Sequence, residues 1–281
     1  MLVNIGNNRY RLIDFWTGTY RAATGSGALN TLPIAVAPYA VKFEKRLLVK
    51  TMFLVLFFAT IQYMFMLGTR TQFAILLLIV ILAALQFAYS EQGIAGVLKC
   101  IGIMAVISLI AFLLYHFNVL SIRDYILSTN LAARYERRAS LENSDSFRFQ
   151  SFWIGLRELI QYPMGGRASQ VYRHNMWLDV GRVSGIIPFC LLLVYSIKNF
   201  ANVTAIWKNT KILPSLRYLL LFLYIGAYVN CFVEPIWEGA LNFFLALCVV
   251  DGMVSAMMRR LENDPTPEES VSDTSNLHTD L

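Results

Sequence analysis

Apolar residues occur in long blocks along this chain, separated by short polar stretches. Most blocks approach the ~20 residues that a helix needs to cross the hydrocarbon core of a bilayer. Six such blocks are present, at positions 47–67, 72–89, 100–117, 183–197, 213–229 and 239–257. A shorter block at 29–41 contains Pro33 and Pro38 and is interpreted as a seventh span. The pattern predicts an all-α polytopic membrane protein with six to seven transmembrane helices.

The composition excludes a soluble globular domain. Hydrophobic residues make up 57% of the chain and charged residues 15%, with a mean hydropathy of +0.52. Soluble domains are about 45–50% apolar and about 25% charged. Four cysteines lie in or beside the blocks at irregular spacing, which predicts neither a disulfide framework nor a metal site. They are Cys100, Cys190, Cys231 and Cys248.

The first residues, MLVNIGNNRYRLIDFW, do not have the form of a signal peptide. They lack a basic region followed by an apolar core. They read like the middle of a loop, and we expect the chain to be a C-terminal piece of a longer protein.

The lysines predict the orientation of the spans. All seven fall in alternate connections: Lys42, Lys45, Lys50, Lys99, Lys198, Lys208 and Lys211. Arg259 and Arg260 follow the last block. Because cytoplasmic loops carry an excess of basic residues, these connections are predicted to be cytoplasmic. The acidic, Pro- and Ser-rich end of the chain is predicted to be a disordered cytoplasmic tail.

The largest connection, 116–182, lies on the opposite side and departs from this rule. Its basic residues are nine arginines and no lysine: Arg123, Arg134, Arg137, Arg138, Arg148, Arg157, Arg167, Arg173 and Arg182. One interpretation is a solvated loop whose six acidic residues pair with these arginines locally. The other is a site for a diphosphate at the outer membrane surface, because guanidinium groups bind phosphate through two hydrogen bonds.

Two segments of this loop have defined patterns. In RFQSFWIGLRELIQYPMGG, aromatic and aliphatic residues recur at helical spacing from Phe149 to Ile160, and Pro163 to Gly166 end the pattern. This apolar stripe either packs against the spans or rests in the membrane interface. Further on, His174, Leu178, Gly181 and Gly185 are spaced to share one helical face that leads into the next span.

Four basic residues stand close to the ends of spans on the same predicted side: Arg21, Arg70, Arg148 and His174. Arg70 is the single charge of the very short turn GTRTQ. It either anchors the end of a span by snorkelling or belongs to a site. His174 stands at the membrane boundary, where a purely structural histidine would also be ordinary.

Four segments together resemble the O-antigen ligase and O-antigen polymerase family of bacterial membrane glycosyltransferases. YRAATGSGALNTLPIA is similar to its Arg- and Gly-containing entry to a span, and MLGTRTQFAILLLIV to its small-residue–Arg turn. RFQSFWIGLRELIQYPMGG and HNMWLDVGRVSGIIPF resemble the two signatures of its large periplasmic loop. The order agrees from Arg21 to about Met257. The chain departs from the family in having fewer spans and in Gly165-Gly166, where Gly-x-Gly is commoner.

The resemblance implies a GT-C-like fold and an enzyme of the bacterial inner membrane. The apolar blocks and the lysine pattern divide the chain into a periplasmic segment at 1–28, spans at 29–117 and 183–258, a large periplasmic loop at 118–182 and a disordered cytoplasmic tail at 259–281. The implied donor is a glycan on undecaprenyl diphosphate, and the acceptor is a sugar hydroxyl of a lipid-linked repeat unit or of lipid A–core. Other implied partners are the lipid bilayer but no nucleic acid.

The resemblance and the chemistry of the reaction assign roles to individual residues. Arg70 and Arg148, and with them Arg21, are expected to stabilise negative charge on the departing diphosphate. His174 orients the acceptor hydroxyl, accepts its proton or binds the diphosphate. Arg21, Asn175, Arg173 and Arg167 are expected to bind substrate. No metal-binding pattern occurs in the outer loops, so we expect a metal-independent enzyme with no cofactor.

Two other classes stay open at this point. A transporter of lipid-linked glycan would need polar residues at mid-membrane, where Asp251 and Asn242 are the candidates. A non-catalytic subunit of polysaccharide assembly could share the spans and the arginine-rich loop. Within the family, the surplus of arginine at Arg134, Arg137 and Arg138 slightly favours a polymerase over a ligase, because a polymerase holds two lipid diphosphates at once.

Overall fold

A computed structural model describes residues 23–133 and 144–263, together with Leu12, Ile13 and Gly18. Within these ranges the backbone alone is described at Thr24, at positions 144–148 and at Glu262. Arg21, Arg134, Arg137, Arg138 and the tail from 264 onward therefore lie outside the described residues. Arg148 is described by its backbone only.

The described part of the chain is almost wholly helical. The α-helices are α1 (Ala23–Ala28), α2 (Thr31–Phe43), α3 (Leu47–Leu67), α4 (Arg70–His116), α5 (Ile122–Leu127), α6 (Ser144–Gln161), α7 (Met176–Ser184), α8 (Ile186–Lys208), α9 (Pro214–Val233), α10 (Ile236–Gly239) and α11 (Leu241–Asn263). Within the described residues, α3, α4, α8, α9 and most of α11 are long and apolar enough to cross a membrane. The protein is thus an all-α, multi-pass membrane protein.

The helix α4 contains two of the predicted spans. Its 47 residues would extend about 70 Å if straight, more than twice the thickness of the hydrocarbon core. Gly93 interrupts it with φ 61° and ψ −143°, a conformation that glycine adopts readily. Gly96 then packs so closely on Ala88 that an added Cβ would lie 2.3 Å from the Ala88 carbonyl oxygen. The chain reverses direction at this break. A contact between the two ends of α4 shows the reversal: Asn130, which follows α4, donates a hydrogen bond at 2.6 Å to the carbonyl oxygen of Met66, which precedes it.

The seventh predicted span, at 29–41, is a shorter element than expected. It corresponds to α2, whose 13 residues extend about 20 Å and do not cross a bilayer alone. Its buried residues pack against α3, α4 and α9. Gly226 of α9 allows this contact, because a Cβ there would lie 2.5 Å from the Thr31 side chain. The short helix therefore packs among the spans through its buried face.

The helix α9 lies at the centre of the bundle. One apolar core surrounds Tyr224 and joins α9 to α8 and α11. A second core surrounds Phe222 and joins α9 to α2, α3 and α4. Large apolar side chains of α3 and of residues 94–116 point outward and are exposed, as on the lipid-facing surface of a membrane protein. The helix α9 contacts α2, α4, α7 and α8.

The basic residues separate to opposite ends of the bundle. The lysine-rich end is defined by Lys42, Lys50, Lys208 and Lys211. At this end, Lys50 Nζ donates a hydrogen bond to the Val41 carbonyl oxygen at 2.9 Å. The arginine-rich end is defined by Arg70, Arg167, Arg173 and Arg182, together with α6, α7 and α10. The alternation of charge predicted from the sequence is thus present in three dimensions, while the sidedness of the membrane remains a prediction.

Candidate functional site

The helix α6 crosses the arginine-rich end on a face of small residues. Ser151, Gly155 and Leu159 are buried, and a Cβ at Gly155 would touch Leu178 of α7 at 3.0 Å. Phe149 and Trp153, from the predicted apolar stripe, are exposed instead. Phe152 of the same stripe packs on Phe232 of α9, so part of the stripe packs against the spans and only its exposed part fits the membrane-interface interpretation. The helix ends at Gln161, before Pro163, as the sequence predicts.

The glycines after α6 meet the glycine that ends α7. Gly165 has φ 72° and Gly185 has φ 93°. A Cβ on Gly165 would lie 2.5 Å from the Gly185 nitrogen, so neither position accommodates a side chain. The Ile186 N–H donates to the Pro163 carbonyl oxygen at 2.8 Å, which joins the end of the loop to the start of α8. The two loop segments singled out in the sequence are therefore in direct contact.

The prediction of one continuous helical face from His174 to Gly185 is wrong. The helix α7 begins at Met176, because the Asn175 side chain caps it by accepting the Leu178 N–H at 3.1 Å. His174 precedes the helix with φ 55°, and Gly185 breaks the chain before α8. Gly181 packs on Leu159 of α6, where a Cβ would lie 2.6 Å from that side chain. The glycines thus serve the packing of the loop and not a contact between two spans.

Glu158 of α6 pairs with two of the predicted substrate-binding arginines. Its carboxylate accepts hydrogen bonds from Arg173 Nε at 3.1 Å and Nη2 at 2.7 Å. Arg167 Nη2 lies 3.7 Å from the same carboxylate and its guanidinium stacks on the Tyr162 ring at 4.2 Å. The predicted substrate-binding role of Arg167 and Arg173 stays a prediction, and a phosphate at this place would compete with Glu158.

Arg182 holds the loop before α7. Its Nη1 donates to the carbonyl oxygens of Arg167, Ala168 and Gln170 at 2.6, 3.1 and 2.7 Å. Its Nη2 pairs with Glu238 of α10. The side chain is 1% exposed. Arg182 therefore fixes the conformation of residues 167–170.

Asp179 lies beside this arginine in a buried position. Its Oδ1 accepts the Arg173 N–H at 2.6 Å and lies 3.6 Å from Arg182 Nε. Its Oδ2 is buried without a hydrogen-bond partner. Burial raises the pKa of Asp179, and the Arg173 N–H and the Arg182 charge offset this only in part. Asp179 therefore links the segment before α7 to α7 itself.

His174 is partly exposed between these buried neighbours. The Tyr172 ring meets its imidazole edge-on, with 4.7 Å between ring centroids. The next residue, Asn175, donates from Nδ2 to the Phe232 carbonyl oxygen at 3.2 Å. His174 is thereby held next to the C-terminal end of α9.

The predicted catalytic segments converge on that end of α9, at residues 232–234. Asn175, which follows His174, binds the Phe232 carbonyl oxygen, and Thr71, which follows Arg70, donates to Glu234. Phe152 of α6, one turn after Arg148, packs on the Phe232 ring at 6.4 Å between centroids. The segments that carry Arg70, Arg148 and His174 thus meet there, although they are far apart in sequence.

A buried polar network lies immediately below this convergence. Gln72 Nε2 donates to Asn230 Oδ1 at 2.5 Å, and Asn230 Nδ2 donates to Thr31 Oγ1 at 2.7 Å. All three side chains are at most 2% exposed and join α4, α9 and α2. Satisfied buried networks of this kind restrict their helices to one arrangement. This network fixes the start of α4, and with it Arg70, relative to the end of α9.

Glu234 and Glu238 had no role in the sequence-based prediction, whereas Glu158 is one of the six acidic residues that its first interpretation pairs locally with the arginines of the loop. Glu158 and Glu238 bind arginines, and Glu234 contacts the start of α4. Glu234 and Glu238 are the charged residues of the short link CFVEPIWE between two spans. A charge confined to a tight connection was the signal that pointed to Arg70, and it applies equally to these two residues.

Asp251 is surrounded by protein donors in the middle of α11. It is 3% exposed and accepts hydrogen bonds from Asn199 Nδ2 at 2.6 Å and from the hydroxyls of Tyr195 and Tyr224. These donors come from α8 and α9. The second mid-membrane candidate, Asn242, is exposed at the start of α11 and not at mid-membrane. The contacts of Asp251 therefore join three helices.

Within residues 23–133 and 144–263, no three His, Cys, Asp or Glu side chains are grouped so that they could hold a metal ion. No protein-family model, curated protein or solved structure matches the chain.

Proposed function

We propose that this protein is a membrane glycosyltransferase that moves a glycan from undecaprenyl diphosphate to an acceptor sugar hydroxyl at the periplasmic face of the bacterial inner membrane. The observation that carries the proposal is the convergence of the Arg70, Arg148 and His174 segments on residues 232–234. The four sequence segments that resemble the O-antigen ligase and polymerase family are the second support.

The charges at this convergence suit a lipid diphosphate. Departure of the diphosphate from the anomeric carbon leaves negative charge on its phosphate oxygens, and fixed cations aimed at that charge lower the barrier. Arg70 is the first residue of α4, and the N-terminal end of a helix attracts anions. The donor lipid reaches this end from the bilayer, against which Phe149 and Trp153 are exposed.

Two side chains are candidates for the proton of the acceptor hydroxyl. His174 is held in a left-handed backbone conformation, which is uncommon outside glycine and recurs at functional sites. Glu234 lies at the same convergence, bound by Thr71. Comparison of the transfer rates of His174→Ala and Glu234→Gln distinguishes them.

The proposal leans slightly to a polymerase over a ligase. A polymerase accommodates a second lipid diphosphate and needs a further cationic region. Arg134, Arg137 and Arg138, outside the described residues, supply three arginines between α5 and α6.

The test is a strain that lacks this gene, with its surface polysaccharide and its lipid-linked glycans separated by gel and by mass spectrometry. The proposal predicts loss of long glycan. Single repeat units that still reach the surface identify a polymerase, and full-length chains that accumulate on undecaprenyl diphosphate identify a ligase. Unchanged glycans, or repeat units trapped on the cytoplasmic side as for a missing transporter, would refute the proposal.

A further inference from the structure

A cavity of about 430 Å³ opens at the lysine-rich end, on the far side of the bundle from the proposed active site. It lies where α2 ends, where α4 approaches Gly93, and where α8 gives way to α9. Lys42 and Arg217 supply its cations, and Trp207, Tyr89, Ser90 and Gln86 supply aromatic and polar walls. Nothing in the proposed transfer reaction uses this cavity.

The guanidinium of Arg217 carries a positive charge that is available to a ligand in this cavity. Its Nη1 donates to the Trp207 carbonyl oxygen at 3.3 Å, and its Nε is buried without a hydrogen-bond partner. Among the described residues, no carboxylate lies within ion-pair distance of its guanidinium. Lys42 differs, because Glu91 neutralises it and it also lies over the Phe87 ring. The cavity therefore carries about one net positive charge, centred on Arg217.

The residues around the cavity favour a membrane lipid as its ligand over a soluble ion. Val41 and Leu213, next to the cavity-lining Lys42 and Pro214, are 51% and 70% exposed. Span ends meet the headgroup layer, and aromatic side chains such as Tyr89 and Trp207 are typical of that depth. Basic pockets between spans at this level bind the headgroups of anionic lipids.

We propose that this cavity binds the phosphate of an anionic phospholipid from the leaflet at the lysine-rich end. The phosphodiester accepts hydrogen bonds from the Arg217 guanidinium, the polar residues Ser90 and Gln86 line the headgroup, and the acyl chains lie along the exposed apolar residues beside it. The single negative charge of a phosphodiester matches the single unneutralised cation.

The experiment measures phospholipid binding to the delipidated, detergent-solubilised chain by native mass spectrometry. Phosphatidylglycerol is the probe, with phosphatidylethanolamine and inorganic phosphate as comparisons. Phosphatidylglycerol should bind in preference to both, and R217Q should weaken it about tenfold, because a charge-assisted, two-pronged contact is lost. K211Q removes an exposed charge at the same end, outside the cavity, and should leave binding within about twofold.

The second variant, S90W, fills the cavity from an exposed position and keeps both cations. It should also abolish tight binding while the melting temperature stays unchanged, which makes the test independent of any folding defect in R217Q. Equal losses in R217Q and K211Q would overturn the proposal. So would equal binding of phosphatidylethanolamine, or displacement of the lipid by inorganic phosphate at similar concentration, which would identify a soluble anion as the ligand.

Discussion

Glu158 binds the guanidinium of Arg173 through both of its carboxylate oxygens. The pair joins α6 to the segment before α7, and Arg167 approaches the same carboxylate from the other end of that segment. Glu158 and Arg173 are only 12% and 9% exposed, so the interaction is largely shielded from water. The arginines of this loop therefore form two groups: those that hold its shape, as Arg173 does, and those that are candidates for binding substrate.

Glu158→Ala is expected to destabilise the protein strongly. Removal of one partner of a buried pair leaves the other charge uncompensated, which costs about 3–5 kcal/mol. Unfolding in detergent by circular dichroism measures the loss. Glu91→Ala is the matched control: its pair with Lys42 is surface-exposed, and such pairs contribute about 0–1 kcal/mol. Equal effects of the two substitutions would contradict a structural role for Glu158.

The buried Asp179 predicts a specific pH dependence of stability. Its pKa is raised in the folded state by burial, so its stability contribution is complete below the ordinary value of 3.8 and is lost as pH rises through the raised pKa. Asp179→Asn does not titrate and keeps an oxygen for the Arg173 N–H. The stability of the variant relative to the wild-type protein should therefore increase from about pH 4 to about pH 7.

Chemical denaturation of both proteins across that range measures this difference. A difference that is constant with pH, or that decreases as pH rises, would show that Arg182 keeps Asp179 ionised at its ordinary pKa or below.

The spans were predictable from the sequence because their signal is a simple one of length and hydropathy. The break at Gly93 falls between two of the predicted blocks, so the sequence indicates it. The break at Gly185 falls inside a predicted helical face, and its positive φ follows from the contact with Gly165, about twenty residues earlier in the chain. That contact is tertiary, and spacing along one segment does not encode it.

The candidate site was predictable only in part, because its tertiary contacts are likewise not encoded by the spacing of residues along one segment. Arg70 is conspicuous as a charge in a very short turn, but its proximity to the His174 segment depends on where α9 ends. The contacts at Phe232 and Glu234 bring the two segments together. The pairing of Arg173 with Glu158 likewise depends on how α6 and α7 cross, which follows from Gly155 and Gly181.

Asp251 is expected to stabilise the bundle through its three donors. Asp251→Ala leaves buried hydroxyl and amide groups without an acceptor, which should lower the free energy of unfolding by roughly 3 kcal/mol or more. Asn202→Ala removes one hydrogen bond, to Ser255, between the same helices α8 and α11, and should cost about 1 kcal/mol. Thermal unfolding in detergent compares them. An Asp251 variant as stable as wild type would contradict this stabilising role.

The two ends of the bundle should face opposite sides of the membrane. Gln170 at the arginine-rich end and Lys208 at the lysine-rich end are both exposed. In a chain whose native cysteines are replaced, a cysteine at Gln170 should react with an impermeant thiol reagent in intact spheroplasts. A cysteine at Lys208 should react only after permeabilisation. The reverse pattern would invert the proposed orientation.

Glycan transfer by Arg70→Lys, Arg148→Lys and His174→Ala, each expressed in the strain that lacks the gene, tests the central claim most directly. Lysine keeps the charge of arginine but not its two-pronged hydrogen bonding. Loss of one such donor commonly lowers a rate by about 10²–10³. Each variant should therefore transfer glycan at a small fraction of the wild-type rate with normal protein levels, whereas Arg123→Ala, on exposed α5, should be nearly unaffected. Wild-type transfer by Arg70→Lys and His174→Ala, or a larger loss in Arg123→Ala, would contradict a glycosyl-transfer site at residues 232–234.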